Sequence, residues 1–287
     1  DHRDLHLSFR RQRQMCIRDS DRLKIIGNDL GVHGLTASLN AMIEAAGIEF
    51  REALMQLPDG IQDAESYLDS DGIDRNKPVR LHVRMTVKSG EVDFDFTESD
   101  PQGKGPVNIR RALVEACCYQ VLIGMTNPDL CYSDAVRDAV SIKLKLGTIV
   151  SPIPPAPCSS YMKTCMTVID MLLEVFGSFS EDRAAAYSGG SGGGLTIDWG
   201  SGPREPRGNQ YEIYGSAYGG SASQDCDSGT TVHLSNIYVT PIEIVESEFP
   251  CRITKFELIP NSGGDGQYRG GLAMRREYEM LQPGVVI

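Results

Sequence analysis

Strict alternation of apolar and polar residues marks the clearest local structure of the chain. Every second residue from Val79 to Val87 is apolar, and after Ser89-Gly90 the alternation resumes with Val92, Phe94 and Phe96. Because side chains of a strand alternate between its two faces, two such runs joined by a short turn predict an antiparallel hairpin with one buried face. Arg, His and Asp side chains share the polar face, and we expect them to form charge pairs across the strands.

Three segments repeat apolar residues at spacings of three and four, which predicts amphipathic helices. The first ends at Pro58-Asp59-Gly60, and its apolar face comprises Leu39, Met42, Ile43, Ala46, Phe50, Ala53, Leu54 and Leu57. The second begins near Asn108 and buries Ile109, Leu113, Ala116, Cys117 and Val121. The third follows a capping Ser159 or Ser160, stops at Gly177, and has the face Met162, Cys165, Met166, Ile169, Leu172, Leu173 and Phe176.

The remaining segments predict turns and short strands. Asp69-Ser70-Asp71-Gly72 is similar to a calcium-binding loop, but Asp74 stands where such a loop needs Gly, so we interpret it as an Asp/Gly turn in a charged connector. Alternation from Val140 to Leu146 predicts another strand, and from Ser188 onward the chain is rich in Gly and Ser. Together these elements predict an α+β fold, with helices packed on mainly antiparallel sheets and a Gly-rich C-terminal part.

Neither end of the chain is expected to be native. Residues 1–20 are basic and without helical or strand periodicity, and Gln14–Ser20 resembles the translation of a sequencing adapter. We therefore predict a non-native leader over residues 1–20 and one domain over residues 21–287. A basic arm for an acidic partner is the alternative. The apolar ending at Val285-Val286-Ile287 predicts a truncated fragment.

Composition argues against several classes of function. The 287 residues carry a formal net charge of −11, whereas nucleic-acid binding needs clustered Lys and Arg. The apolar runs are only a few residues long, too short to span a membrane. The eight cysteines form no CxxC pair and follow no signal peptide, so we expect free buried thiols in a reducing cytoplasm.

Common catalytic signatures are missing from the sequence. No Lys-Ser/Thr pair follows the glycines at 189–194, which argues against a phosphate loop, and their Gly-rich flanks argue against a nucleophile elbow at Ser191. Outside the leader, the histidines are His33, His82 and His233, without HxH, HxxH or HExxH spacing. We therefore predict that this part of the chain binds no metal and no cofactor.

The most specific motif runs from Asn236 to Gly271. Thr240-Pro241-Ile242-Glu243 is followed by Glu246 and later by Ser262-Gly263-Gly264-Asp265-Gly266-Gln267-Tyr268-Arg269-Gly270-Gly271. Glu243 and Glu246 are suited to acid/base work or to cation binding, and the glycine turns place Arg269 between closely approaching backbone segments. On the residues alone, a structural role for Arg269 and the two Glu, holding loops together, is slightly favoured.

This motif resembles the signature of the hydantoinase B/oxoprolinase family. Further segments agree with that family in order: Gly27-Asn28-Asp29-Leu30, Asp95-Phe96-Thr97-Glu98-Ser99 with Gly105-Pro106-Val107-Asn108, Gly147-Thr148 with Pro155-Ala156-Pro157, and Gly219-Gly220 with Asp227-Ser228-Gly229. The resemblance extends from about residue 21 to the end of the chain. One departure is Glu98, which stands where the family usually has Gly.

The resemblance implies a cytoplasmic B-type subunit of a hetero-oligomeric enzyme. Such a subunit pairs with an A-type subunit that uses ATP, and together they open small cyclic amides such as hydantoins or 5-oxoproline. The resemblance also implies that a divalent metal is held by an N-terminal half missing here, and that this fragment alone is inactive. The alternatives are the alpha-type subunit of an ATP-dependent acetone or acetophenone carboxylase, and a non-catalytic assembly module.

Polar residues inside the family-like motifs are the candidate site residues. We predict that six of them lie near a shared catalytic cleft: Asp95, Asn108, Asn236, Glu243, Glu246 and Arg269.

Overall fold

The chain folds as helices packed on mainly antiparallel sheets. A computed structural model describes residues 2–190, 193–200, 208–231, 233–235 and 237–286, with the backbone alone for 2–15 and 284–286. Three sheets contain four, three and two strands. The largest sheet and three helices form the main hydrophobic core, and the Gly-rich C-terminal part carries the two smaller sheets.

The largest sheet has the order β1-β2-β3-β4. Its strands are β1 (Gly60–Leu68), β2 (Val79–Lys88), β3 (Glu91–Asp95) and β4 (Val140–Lys143). β2 and β3 form the predicted antiparallel hairpin, and the alternate apolar residues of β2 are buried as expected. Ser89 and Gly90 both have positive φ, 51° and 79°, which suits a two-residue hairpin turn. Only the β3–β4 pair in this sheet is parallel.

β1 corrects the sequence analysis, which assigns a charged connector after Gly60. The strand pairs with β2 over its whole length. Arg80 bonds Glu65 at 2.7 Å, while His82 and Arg84 reach Asp63 at 3.1 and 3.0 Å. The polar face of β2 is therefore charge-paired as predicted, but with β1. Only Ala64 and Leu68 of β1 are fully buried, so its apolar alternation is too weak to predict a strand.

Three long helices complete the core, as predicted. They are α1 (His2–Leu54), α2 (Arg111–Thr126) and α4 (Tyr161–Gly177), and a short α3 (Asp134–Arg137) precedes β4. α4 packs on β1, β2 and α2. Ser160 occupies the N-cap position of α4, although its side chain makes no capping hydrogen bond.

The two ends of α1 differ in how they pack. Phe50 and Leu54 are fully buried against the core, whereas nearly all side chains described from 16 to 44 are exposed. The backbone is helical from His2, apart from non-helical angles at Gly31. A helix that packs on nothing needs no apolar face, which explains why residues 1–20 show no helical periodicity. Of the predicted apolar face, Leu39, Met42 and Ile43 remain exposed.

The C-terminal part is built from short strands and close backbone approaches. β5 (Gly193–Trp199), β6 (Gly208–Tyr214) and β9 (Gly284–Val286) form one antiparallel sheet, and β7 (Cys251–Leu258) pairs with β8 (Met274–Met280) in another. α5 (Ile242–Glu248) packs on β7. At Gly220 a side chain is excluded, because a Cβ would lie 2.3 Å from the carbonyl oxygen of Tyr268.

All eight cysteines are free thiols, and Cys117, Cys118, Cys165 and Cys251 are buried. Burial raises the pKa of Cys118 well above its ordinary value, which leaves that thiol protonated and unreactive. Cys16 and Cys131 are exposed, so the predicted burial holds for part of the set. Among the described helices, none combines the length and apolar character that a bilayer crossing requires.

Candidate active site

A stripe of polar side chains follows one face of the otherwise apolar helix α4. Lys163, Thr167, Asp170 and Glu174 stand at positions i, i+4, i+7 and i+11, which places them one above another on the same side of a helix. The rest of α4 is largely buried in the core. We name these four residues the α4 polar stripe. With a rise of about 1.5 Å per residue, Lys163 and Asp170 lie about 10 Å apart along the helix axis.

Asp170 is the most deeply buried charged group of the stripe, with 2% of its surface exposed. Its Oδ1 accepts hydrogen bonds from the backbone N–H of Ser188 at 3.0 Å and from Nε2 of His233 at 2.9 Å. Its Oδ2 accepts one from the Ser188 hydroxyl at 2.7 Å. Two carboxylate oxygens offer about four lone-pair sites, so these three bonds leave one site on Oδ2 for a further partner.

His233 is held in place from two sides. Nε2 bonds Asp170, and the imidazole ring stands edge-on to the ring of Tyr218, with centroids 4.8 Å apart. A buried carboxylate that accepts from one ring nitrogen fixes the orientation of the imidazole and leaves the other nitrogen, Nδ1, for proton exchange. The pair is thus arranged to hold or move a proton.

A cavity of about 520 Å³ lies over this stripe. Three of the stripe residues line it (Lys163, Thr167 and Asp170), together with the end of β1, the turn that follows, the loop at Pro106 and the segment Tyr187 to Gly190. This volume falls in the range of small-molecule sites. An ammonium at one end, a carboxylate at the other and hydroxyls between them suit a small polar molecule that undergoes proton transfer.

Tyr187 closes one side of the cavity. Its hydroxyl donates to Oε2 of Glu174 at 2.5 Å. Burial raises the pKa of Tyr187, and the hydrogen bond to Glu174 raises it further. The phenol therefore remains protonated at neutral pH and serves as a hydrogen-bond donor. The last residue of the α4 polar stripe is thus occupied in fixing the cavity wall.

Asp71 braces the opposite wall. Its Oδ1 accepts from the backbone N–H groups of Ile73 and Asp74, both at 2.8 Å, and its Oδ2 accepts from those of Lys104 and Gly105 at 2.9 and 3.2 Å. The Asp/Gly turn is therefore present, and the carboxylate ties it to the loop at 101–106. The fit is close, because a Cβ on Gly105 would lie 1.6 Å from the carbonyl oxygen of Asp71.

We expect Asp71→Asn to lower the free energy of unfolding by about 2 kcal/mol at pH 7, since the amide NH₂ faces two N–H donors it cannot accept from. Hydrogen bonds from Asp74 and Ile73, then Gly105 and Lys104, hold the pKa of Asp71 below its ordinary 3.8. A lowered folded pKa contributes stability that is fully present above the unfolded pKa and is lost as the pH falls through the folded pKa.

Urea unfolding of both proteins from pH 7 to pH 2 measures this effect. The difference between them should be constant above about pH 5 and shrink below about pH 4. The matched control is Asp69→Asn at an exposed position of the same turn, with an expected change within about 0.5 kcal/mol. A difference that grows on acidification contradicts the assignment.

Two of the predicted site residues lie in the main layer. Asp95 ends β3 and accepts from the N–H and hydroxyl of Thr97 at 2.8 and 2.6 Å. Burial raises the pKa of Asp95, but these bonds, with Lys143 and Arg84 nearby, outweigh burial and lower it overall. Asn108 is completely buried, and its amide bonds the backbone of Gly103, Gly105 and Pro157 at 2.8 to 3.1 Å.

The other predicted residues lie in the C-terminal part. Glu243 and Glu246 are exposed on α5, and Glu246 accepts from the N–H of Ile253 at 2.8 Å. Arg269 is exposed, and its backbone N–H donates to Asp225 at 2.7 Å. Asn236 lies outside the described residues. None of the five described candidates lines the cavity over α4, so their catalytic role stays a prediction.

The sequence analysis missed Asp170, Ser188 and His233. Asp170 had a signal: it stands four residues after Met166 and three before Leu173, inside the apolar face assigned to α4, where an unpaired charge is costly. His233 had none, because it is 63 residues away from Asp170 and no spacing rule links two such positions. In the described part of the chain, no group of three or more His, Cys, Asp or Glu is placed to hold a metal ion.

Comparison with known proteins places this fold and sequence. A sequence model described as hydantoinase B/oxoprolinase matches residues 4–287. The chain is 29% identical over 225 residues to 5-oxoprolinase 1 of Arabidopsis thaliana, which covers 77% of the chain and 16% of that protein. It is 26% identical over 265 residues to a putative D-/L-hydantoinase B-type subunit of a Pseudomonas species, which covers 88% and 44%. The chain thus spans less than half the length of either relative.

One solved structure extends the comparison to three dimensions. The crystal structure of the ATP-dependent caprolactamase from Pseudomonas jessenii matches with a TM-score of 0.81 at 21% identity, covering 94% of this chain and 47% of that chain. The predicted α+β class, with helices on mainly antiparallel sheets, is confirmed by the strands described above and by this match.

Proposed function

Because the chain belongs to the hydantoinase B/oxoprolinase family, we propose that it is part of a B-type subunit of an ATP-dependent enzyme that opens small cyclic amides. Relatives are named for 5-oxoproline, hydantoin and caprolactam, which share a ring amide. Two of them are named as subunits, which supports a hetero-oligomer with an A-type, ATP-using partner. The chain covers less than half of the hydantoinase and caprolactamase subunits, so the complete protein is the active form in this proposal.

The observation that carries the proposal within this chain is the buried carboxylate of Asp170 at the cavity over α4. Three hydrogen bonds fix its direction and leave a lone-pair site on Oδ2. A carboxylate held in this way acts as a general base for a water molecule. The cavity has room for a ring of five to seven atoms, which is the size class of these amides.

The reaction proposed here is hydrolysis of an amide whose oxygen has been activated by the ATP-using partner. Water attacks the amide carbon, forming a carbon–oxygen bond while Asp170 takes its proton. The C–N bond of the ring then breaks, and the proton passes to the departing nitrogen, so atoms and charges balance. The ammonium of Lys163, at the other end of the α4 polar stripe, stabilises the negative charge that develops on oxygen.

His233 is a positioning residue in this scheme. Its Nε2 bond orients Asp170 Oδ1, which directs Oδ2 towards the cavity, and its ring offers a second proton station. Ser188 acts in the same way through its hydroxyl. The divalent metal that the family resemblance places in the N-terminal half stays a prediction, and no step above passes through it.

Turnover by the complete B-type subunit, expressed with its A-type partner, tests the proposed function. ATP-dependent ring opening is measured with hydantoin, 5-oxoproline and caprolactam, and with acetone plus bicarbonate as the contrasting substrate. Turnover of at least one cyclic amide is expected, with no turnover in the absence of either subunit. Carboxylation of acetone without any ring opening contradicts the proposal and assigns the protein to the ketone carboxylases.

A further inference from the structure

A second cavity, separate from the site over α4, contains a buried charge whose hydrogen bonds are incomplete. It measures about 190 Å³ and lies between β6 and β8, with Glu212, Tyr214, Phe256 and Arg276 among its lining residues. The side chains of Arg276 and Glu212 are only 5% and 8% exposed. A guanidinium removed from water to this extent normally has an acceptor for each of its N–H groups.

Glu212 is fully supplied with donors. Its Oε2 accepts from Nη1 of Arg276 at 3.0 Å, from the hydroxyl of Tyr278 and from that of Tyr214 at 3.3 Å, and its Oε1 accepts from Gln210 at 2.5 Å. Burial raises the pKa of Tyr278, and the bond to Glu212 raises it further, so the phenol stays protonated and donates. The carboxylate therefore has no need of another partner.

Arg276 keeps two N–H groups that no acceptor takes. Within the described residues, its Nε and Nη2 are buried and have no hydrogen-bond partner. The rings of Phe256 and Tyr278 lie 5.3 and 5.4 Å from the guanidinium carbon. Such contacts engage the face of the guanidinium, whereas the N–H bonds lie in its plane, so the rings do not supply the missing acceptors.

The two unpaired atoms stand on one edge of the guanidinium. Nε–H and Nη2–H form the side-on fork of an arginine, two parallel donors whose spacing matches the two oxygens of a carboxylate. Nη1 is turned towards Glu212 and fixes this orientation. The ion pair with Glu212 leaves the cluster without net charge, so an incoming anion meets a fork and apolar walls, including Phe256 and Met274.

We propose that the cavity at Arg276 is a binding site for a small carboxylate, held bidentately by Nε and Nη2. The volume restricts the ligand to a few heavy atoms or to the acidic end of a larger molecule. Two sources share this chemistry: a simple organic acid, and a lactam that carries a carboxylate, as 5-oxoproline does. The proposal does not depend on the function assigned to the cavity over α4.

Nitrogen-detected NMR of arginine side chains in the 287-residue chain tests the site directly. The Arg276 Nε–H resonance is identified by its loss in Arg276→Lys, and it should shift saturably on addition of sodium acetate or 5-oxoproline at constant ionic strength. Stronger binding of 5-oxoproline assigns a carboxylate-bearing lactam, and equal or stronger binding of acetate assigns a simple acid. Phosphate, which is tetrahedral, should bind more weakly than either.

Variants separate the fork from the charge. Lys keeps the positive charge but lacks the side-on fork, so Arg276→Lys should weaken carboxylate binding at least about tenfold, or about 1.4 kcal/mol. The matched control is Arg275→Lys, since Arg275 is exposed and pairs with Glu257 at 3.1 Å; its binding should equal that of the parent.

The proposal is overturned if the Arg276 resonance does not move with either carboxylate, if phosphate binds more tightly than both, or if Arg276→Lys binds as well as the parent. The titration of the unsubstituted chain decides the question by itself if Arg276→Lys does not fold.

Discussion

Asp170→Asn, introduced into the complete enzyme, should lower kcat for ring opening by about 10²- to 10⁴-fold while KM changes little. An amide in place of the carboxylate keeps the shape but cannot take a proton, and the loss of a general base typically has this magnitude. The substitution removes an interaction that matters in the transition state, so the effect belongs to kcat. Initial rates against substrate concentration, on protein shown to be folded by circular dichroism, measure it.

A matched control makes this result specific. Asp134→Asn removes a carboxylate that is 88% exposed, and its kcat should equal that of the parent. Asp170→Glu keeps a base but moves it by one methylene group, so it should retain more activity than Asp170→Asn. If folded Asp170→Asn keeps kcat within about tenfold of the parent, below the range of a lost general base, Asp170 is not the base, and the cavity over α4 loses its assigned role.

Asn108→Ala should lower the free energy of unfolding by about 3–4 kcal/mol, a large effect for one polar side chain. The amide of Asn108 accepts from the N–H of Gly103 and donates to the carbonyl groups of Gly103, Gly105 and Pro157. Alanine leaves these buried backbone groups without partners, and each unpaired group costs free energy. Urea unfolding monitored by circular dichroism measures the change.

This result distinguishes two roles for a residue that the sequence analysis places in a catalytic cleft. Asn76→Ala, at an exposed position, is the matched control and should change stability by less than about 0.5 kcal/mol. A structural clamp predicts that Asn108→Ala loses stability first and activity only as a consequence. If the variant unfolds at the urea concentration of the parent but loses turnover in the complete enzyme, the catalytic role is supported and the structural one is wrong.

Local pattern predicts much of the main layer because each element there buries one face in the same core. The hairpin of β2 and β3, and helices α2 and α4, lie within a few residues of their predicted positions. β1 escapes prediction, since its polar residues pair with charges on β2 and only two of its side chains are buried. Burial of one face produces a periodic sequence, whereas charge pairing across strands does not.

The candidate site was predictable only in part. The α4 polar stripe is visible in the sequence, because Lys163, Thr167, Asp170 and Glu174 follow helical spacing within an apolar segment. Family resemblance directed attention to other residues, and of these Asn108 and Glu246 bond backbone groups in the structure. Motif residues support close backbone approaches as often as they support chemistry, so a motif alone does not separate the two roles.

The sequence by itself determined the family, the α+β class and the burial pattern of the main core, because these depend on ordered motifs and on the period of apolar residues. Only the tertiary structure decided which polar groups meet. It brings His233 and Ser188 to Asp170, and it leaves two N–H groups of Arg276 without an acceptor. Such contacts join residues far apart in the chain, and they depend on packing that no local pattern records.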